Sequence, residues 1–447
     1  AASRRGIIVM NTPFGNSITT AEHAIALMFA VARQLPAADT STQAGKWEKS
    51  KFMGVEITGK TLGVIGAGNI GGIVCRKAIG IGMHVIAYDP FLSAERAQEM
   101  GVEKVELDDL LARADFITLH VPMTDKTRGI LNREALAKTK KGVRIINCAR
   151  GGLVDEAALA EAIKSGHVAG AGFDVFEVEP ATESPLFGLE NVVCTPHLGA
   201  STTEAQENVA LQVAEQMSDY LVKGAVSNAI NMPSITAEEA PILKPFIRLA
   251  DVLGAFVGQV TESAIKEIEI LYDGATASMN TKALTSAVLA GLIRPQVADV
   301  NMVSAPVMIK EKGVILSEVK RDKSGVFDGY IRLTVKTENQ TRSIAGTVFS
   351  DGKPRFIQIK GINLDADVGN HMVYITNTDV PGMIGFIGTT LGEAGVNIAN
   401  FQLGRDKQGG DAIALLYVDA AVSEDVLNKL RANPAIRQIK PLVFNVD

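Results

Sequence analysis

Thr61-Leu62-Gly63-Val64-Ile65-Gly66-Ala67-Gly68-Asn69-Ile70-Gly71 is the stretch that decides how the first half of this chain folds. Five residues of buried-strand character run into three glycines at the G-x-G-x-x-G spacing, and a helix-like stretch follows from Asn69 to Gly82. Gly66 and Gly68 allow a tight turn and the approach of a pyrophosphate to the backbone. Gly71 lets the helix pack on the strand, and the helix N-terminus offers its free N–H groups to an anion. Three glycines alone are weak evidence, but the next strand, Met83 to Tyr88, ends at Asp89, where an acid meets the ribose hydroxyls of a dinucleotide. No arginine closely follows Asp89 to receive a 2′-phosphate, which favours NAD over NADP. The competing reading, a plain turn with Asp89 capping the Pro90 loop, leaves the strand-turn-helix-strand context unexplained.

Strand and helix keep alternating outward from this turn. Asp115 to Leu119, Arg144 to Asn147 and Asn191 to Cys194 read as strands, and Ala157 to Lys164 as a helix. Such alternation implies parallel strands joined by right-handed crossovers, a doubly wound α/β sheet of the Rossmann type. Upstream, Gly6 to Asn11 reads as a strand, and Thr19 with Glu22 as a capping box before the apolar run Ala24 to Ala32. Ser201-Thr202-Thr203-Glu204 reads as a second capping box, opening a helix to about Lys223. Pro, Ser and acidic residues then predict a linker over 228–241. An α+β module over 242–369 includes a hairpin turn at Ser350-Asp351-Gly352-Lys353. A compact strand-helix-strand-strand-helix-strand segment occupies 370–447.

At 447 residues and 47% apolar content the chain can bury several cores. A formal charge of -6 with no basic stripe gives no sign of a nucleic-acid partner. No apolar stretch approaches the roughly 20 residues of a membrane span. Cys75, Cys148 and Cys194 have no metal-ligand spacing, and their odd number fits reduced thiols. A cytoplasmic setting, with no metal and no membrane, is the expectation.

Removing or adding a hydride at a carbinol carbon requires a proton to move on its oxygen, and histidine suits that task near neutral pH. His197, in Thr195-Pro196-His197-Leu198-Gly199, follows a strand end, where ligands of such sheets gather. Glu179, held before Pro180, can pair with its ring and stabilise an imidazolium. Arg150, in Asn147-Cys148-Ala149-Arg150-Gly151-Gly152, also lies just past a strand end, and a guanidinium there can grip a carboxylate and polarise the reacting oxygen. His23, His84, His120, His167 and His371 show no comparably placed acid and read as ordinary histidines.

Val64 to Gly72, Asn147 to Gly152, Asp174 to Pro180 and Thr195 to Ser201 together resemble the signatures of the D-isomer-specific 2-hydroxyacid dehydrogenases. Asp379-Val380-Pro381-Gly382 with Gly392 to Ile398 resembles an ACT regulatory domain, of ferredoxin-like fold. The segment between resembles the intervening domain of the family's long, phosphoglycerate-oxidising members. The resemblance implies NAD-dependent oxidation of 3-phospho-D-glycerate to 3-phosphohydroxypyruvate, the entry step of phosphorylated serine synthesis. It implies that Arg150 binds substrate, Glu179 orients His197, and His197 takes the hydroxyl proton. It assigns NAD contacts to Gly66, Gly68, Asn69, Ile70, Gly71, Asp89, Val121, Cys148, Ala149, Arg150, Asp174, His197, Leu198, Gly199 and Ala200. Asn377, Asp379 and Asn397 fall where the family binds an amino-acid effector such as serine; turn chemistry explains those three equally well.

The family begins with a substrate-domain half that this chain is expected to enter late, so 1–16 and 201–227 are expected to be the remnant of an incomplete flavodoxin-like substrate domain, with the NAD domain at 17–200. A glyoxylate or hydroxypyruvate reductase and a non-catalytic NAD-sensing protein are the competing functions, both disfavoured by the long C-terminal half. The resemblance also implies a homo-oligomer, a dimer or tetramer, with Leu35 to Met53, including Trp47, either a contact between copies or a solvated loop and helix.

Overall fold

The computed structural model describes residues 1–322 and 326–445. The chain divides into two compact units, one of Thr12–Ala214 and one of Ala1–Asn11 with Glu215–Asp447.

The first unit is built on seven strands: β1 (Thr61–Ile65), β2 (His84–Tyr88), β3 (Glu103–Lys104), β4 (Phe116–Leu119), β5 (Val143–Asn147), β6 (Val168–Phe173) and β7 (Val192–Cys194). Their order is β3-β2-β1-β4-β5-β6-β7 and every neighbouring pair is parallel. Helices on both faces explain why β4 is wholly buried and β1 nearly so. The helix Ser17–Arg33 lies close on β6 because the strand carries glycines there. A Cβ on Gly170 would stand 3.0 Å from Val31 Cγ1, and one on Gly172 3.1 Å from Leu27 Cβ. The winding direction reverses between β1 and β4, so the crevice at their carboxyl ends is where a nucleotide belongs.

In the second unit the six-stranded sheet runs, in spatial order, Ile362–Asp367, Pro354–Ile359, Thr341–Val348, Gly329–Thr337, Ile265–Gly274 and Ile315–Arg321. Its pairs are antiparallel except the last, which is parallel. The hairpin turn at Ser350 to Lys353 is present, with Gly352 at φ 75°. The helices Glu239–Val260 and Thr281–Ile293 touch backbone to backbone: a Cβ on Gly254 would lie 2.1 Å from the Val288 carbonyl oxygen. The four-stranded antiparallel sheet runs Ile398–Arg405, Asp411–Val418, His371–Thr378, Ile436–Val443. The helices Met383–Glu393 and Glu424–Arg431 bury their apolar sides with Val373, Ile375, Ala414 and Leu416. The opposite side of this sheet joins the larger core, where the Phe256 ring meets Phe356 and Tyr374 edge-on at 5.5 and 5.2 Å.

Local expectations fail in three places, each for a physical reason. Thr19 and Glu22 form no capping box, because the helix already starts at Ser17 and Thr20 is drawn inward to the carbonyl oxygens of Asn16 and Gly199. In the second box Thr202 is the cap, accepting from the Ala205 amide at 3.2 Å. Gly6 to Asn11 forms no extended strand; Met10 makes a single antiparallel bridge to Ala229, and the Val9 amide is satisfied by the Asn231 side chain. The linker stretch is also ordered, since Ile235 is buried and bridged to Val226.

Candidate active site

At the end of β1 the backbone turns at Gly66, which sits at φ 94° because any Cβ would strike Val121 Cγ1 at 2.6 Å and the His120 carbonyl at 2.8 Å. Gly71 is equally obligatory, its Cβ position being 1.9 Å from the Gly66 oxygen. Gly68 differs: its missing side chain would meet open space. The helix Asn69–Gly80 has no side-chain cap, so its first-turn N–H groups, including those of Asn69 and Ile70, are left to an external acceptor. Asp89 braces the turn, its carboxylate accepting from the Ala67 amide at 2.9 Å and the Phe91 amide at 2.8 Å. An open face at Gly68, uncapped amides and an acid at the second strand end are what a dinucleotide requires, and the residues fit NAD. His120 lies partly buried beside this turn. Desolvation pushes its pKa down to about 4, so it is neutral at physiological pH and puts no positive charge there.

Asp174, just past β6, organises the opposite side. It has no solvent exposure, and its carboxylate accepts from the amides of Leu198 (2.7 Å) and Gly199 (2.8 Å) and from the Thr195 hydroxyl (2.6 Å). Its carbonyl accepts from the His197 amide at 2.9 Å. Burial pushes this carboxyl's pKa up, but hydrogen bonds from His23, Thr195 and the Leu198 amide outweigh that and hold it below the ordinary value. The loop so fixed carries His197 at φ 57°, a left-handed conformation that non-glycine residues seldom adopt. Its Nδ1 stands 2.7 Å from Glu179 Oε2, while Glu179 Oε1 accepts from the Phe176 amide at 3.0 Å. Burial raises the Glu179 pKa, and the His197 ring and the Phe176 amide more than reverse it, so the group stays ionised below the usual carboxylate range. His197 Nε2 has no protein partner among the described residues, and the ring is half exposed at 52%.

Arg150 follows β5 on a loop braced by Asn147, whose side chain accepts from the Ala149 amide and donates to the Arg150 carbonyl. A Cβ on Gly151 would fall 1.7 Å from the Phe176 oxygen, so this loop abuts the one bearing Glu179. The guanidinium is exposed, its Nη1 donating to the Ala149 carbonyl at 2.6 Å, and it makes no hydrogen bond or ion pair with Glu179 or His197 among the described residues. Cys148 and Ala149 are buried, whereas Val121 and Leu198 retain exposure. Ala200 stays partly exposed, while Gly199 is buried against Asp174. A pocket of about 550 Å³ opens beside His197 and Glu179, walled by Phe176, Phe187, Pro196 and Cys194.

One histidine read as ordinary is not. His23 Nε2 lies 3.2 Å from Asp174 Oδ1 and 3.0 Å from the Thr195 hydroxyl, so the buried acid beneath the His197 loop has a second imidazole on it. Its position two turns into an apolar helix gave no signal of that partner.

The effector residues have separate partners. Asp379 is paired with Arg405 at 2.8 Å and accepts from the Gly409 amide, which together hold its pKa down. The Asn397 amide donates to Asp419 at 2.7 Å. Asn377 is buried, its Nδ2 on the Thr378 carbonyl and its Oδ1 without a partner among the described residues.

Residues 25–199 match the model of the D-isomer-specific 2-hydroxyacid dehydrogenase NAD-binding domain. Residues 242–360 match the D-3-phosphoglycerate dehydrogenase intervening domain, and 371–435 the ACT domain. D-3-phosphoglycerate dehydrogenase of Bacillus subtilis is 41% identical over 440 residues, 98% of this chain and 84% of that protein. The chain belongs to the D-3-phosphoglycerate dehydrogenase family. The Methanocaldococcus jannaschii member is 42% identical over 98% of this chain and 84% of its own length. Among solved structures, the holo form of Rhodotorula graminis D-mandelate dehydrogenase aligns with a TM-score of 0.50 at 26% identity, covering 53% of this chain and 71% of that one. NAD is therefore the dinucleotide of this dehydrogenase, an enzyme with an ACT domain. Among the described residues no helix is long and apolar enough to cross a membrane.

Proposed function

We propose that the chain oxidises 3-phospho-D-glycerate to 3-phosphohydroxypyruvate, the first step of phosphorylated serine biosynthesis, with His197 as the base. The observation that carries this is the Glu179–His197 hydrogen bond at 2.7 Å, made from the Nδ1 side so that Nε2 faces outward. Glu179 fixes the tautomer and offsets the charge that the ring acquires. His197 Nε2 takes the substrate hydroxyl proton as the neighbouring C2–H bond gives up its hydride, leaving a carbonyl. Bound NAD supplies the hydride acceptor. Arg150 holds the substrate carboxylate and polarises the reacting oxygen through guanidinium donors not used on Ala149. Gly68, Asn69 and Ile70 would hold the pyrophosphate of NAD, and Asp89 would bind its adenosine ribose. Val121, Cys148, Ala149 and the Leu198–Ala200 backbone would complete the cofactor site. Asp174 acts from beneath, holding the loop.

Following NADH absorbance with 3-phosphoglycerate and NAD tests this. His197→Ala should lower turnover by about 10²–10⁴-fold, the usual worth of a positioned base, with NAD affinity nearly unchanged. Turnover of glyoxylate or hydroxypyruvate but not of the 3-phosphoglycerate pair would reassign the substrate.

Two finer readings go with it. Serine acts as an effector at the ACT domain through Asn377, Asp379 and Asn397, which it must reach by displacing Arg405 and Asp419; serine titration of turnover tests that. Copies of the chain associate through Leu35 to Met53, where Trp47 and Met53 are 86% and 78% exposed. A sedimentation coefficient unmoved by Trp47→Ala at micromolar protein would count against that contact.

A further inference from the structure

Residues 174–191, which carry Glu179, contain no helix or strand. A connection that long holds one shape only where side chains fix it. The Phe176 ring anchors it, tilted against Phe173 at 6.5 Å and edge-on to Phe187 at 5.3 Å. A second anchor is a carboxylate to which the reaction gives no role. Glu156, the first residue of the helix Glu156–Lys164, is only 9% exposed, and both its oxygens are taken up by this connection. Oε1 accepts from the Glu177 amide at 2.8 Å and Oε2 from the Ser184 hydroxyl at 2.7 Å, one on either side of Glu179. No cation pairs with Glu156 among the described residues; its charge sits instead at the positive end of a helix.

The bond to Glu177 matters for the peptide it holds, the one joining Phe176 to Glu177. The oxygen and nitrogen of that peptide lie 1.7 and 2.7 Å from where a Cβ on Gly151 would stand, so the Arg150 loop rests on its face. The preceding amide, of Phe176, donates to Glu179 Oε1 at 3.0 Å. One peptide plane therefore sets how the Arg150 loop stands against the Glu179 carboxylate, and through Glu179 against the His197 ring. We infer that Glu156 is a positioning residue for the reaction: by gripping the Phe176–Glu177 peptide it keeps Glu179 on His197 Nδ1 and holds the Arg150 loop in register with that pair. This rests on the roles proposed above for Arg150, Glu179 and His197.

Glu156→Asp and Glu156→Gln separate reach from charge. Aspartate keeps the charge and suits the first turn of a helix, so this variant should fold, but it stops one methylene short of the Glu177 amide. Glutamine loses the charge and keeps a full-length acceptor, with its NH₂ group turned to the Ser184 oxygen. The readouts are kcat with NAD and 3-phosphoglycerate, and the His197 ring pKa. The latter is followed by NMR on the whole chain carrying carbon-13 at histidine Cε1, with the His197 signal assigned by its absence from His197→Ala. Among the described residues Glu179 is the charged side chain bonded to that ring, while the Asp174 carboxylate is turned to the Leu198 and Gly199 amides. Loosening a carboxylate from an imidazolium lowers the ring's pKa. Glu156→Asp should therefore lower the His197 pKa by about half a unit or more. It should also lower kcat about tenfold or more, since displacement of a catalytic group is costly in rate. Its NAD affinity and thermal midpoint should stay near those of the natural chain, and Glu156→Gln should restore both readouts. An unmoved His197 pKa in Glu156→Asp, whatever its kcat, would overturn the inference, and so would a Glu156→Gln variant as impaired as Glu156→Asp. The ring titration needs no substrate, so a natural chain that fails to oxidise 3-phosphoglycerate would count against the proposed reaction, and the His197 pKa alone would then decide the role of Glu156.

Discussion

Asp174 Oδ1 accepts from the Leu198 amide at 2.7 Å, and its partner oxygen accepts from Gly199 at 2.8 Å, so one buried carboxylate fixes the backbone on the far side of His197. Removing it leaves two amides without an acceptor and takes from the His23 ring its acid partner. Asp174→Ala should cost about 3 kcal/mol, in the range for stripping one partner from a buried charged network. Asp174→Asn, which keeps an acceptor but donates where the loop also donates, should cost less and still slow turnover. Denaturant midpoints and kcat, measured together, check this; a fully active, fully stable Asp174→Ala would show that the loop holds itself.

The same carboxylate carries a pH signature. Its pKa is lower in the folded chain than in the unfolded one, so its contribution is present above the unfolded value of about 4. That contribution is lost as pH falls through the lower folded value. Stability of the natural chain should therefore drop more steeply as pH falls below about 4 than that of Asp174→Asn. Parallel acid-denaturation curves would be the contrary result.

Glu179 should matter for rate more than for binding. Glu179→Gln can still accept a hydrogen bond but cannot offset an imidazolium, so kcat should fall about tenfold or more while the dissociation constant for NAD stays put. Because the Glu179 carboxyl titrates below its usual range, it stays charged through the whole working pH range. The natural enzyme should then show no loss of rate from this group until strongly acid conditions. A Glu179→Gln enzyme with wild-type kcat would remove Glu179 from the mechanism.

How much of this was legible in the sequence depended on distance along the chain. Five strands of the seven-stranded sheet, β1, β2, β4, β5 and β7, could be read because each announces itself through its own periodicity, whereas the two-residue β3 and the glycine-interrupted β6 gave no such run. Glu179 and His197 could be paired because each stands beside a proline just beyond a strand end of one sheet, where side chains converge whatever the intervening loop does. His23 could not be, since a helix residue reaches Asp174 only through packing of that helix on β6, and the glycines that permit the approach, Gly170 and Gly172, look like ordinary strand interruptions. The Thr19–Glu22 motif misled because tertiary contact drew Thr20 to the Gly199 carbonyl and the helix began earlier.

Gly68 and Gly71 separate cofactor binding from folding. At Gly71 an added methyl would press into the Gly66 carbonyl at 1.9 Å, so Gly71→Ala must move the turn and should lower stability as well as NAD affinity. Gly68 faces open space, so Gly68→Ala adds no contact within the protein, yet places a methyl where the pyrophosphate must approach. Gly68→Ala should keep a near-native thermal midpoint while weakening NAD about tenfold or more, near 1.4 kcal/mol. Fluorescence titration with NAD beside a melting curve decides between the two sites. If Gly68→Ala bound NAD as tightly as the natural chain, the cofactor would have to pass the turn on another side, and the placement of the pyrophosphate at the start of Asn69–Gly80 would fall with it.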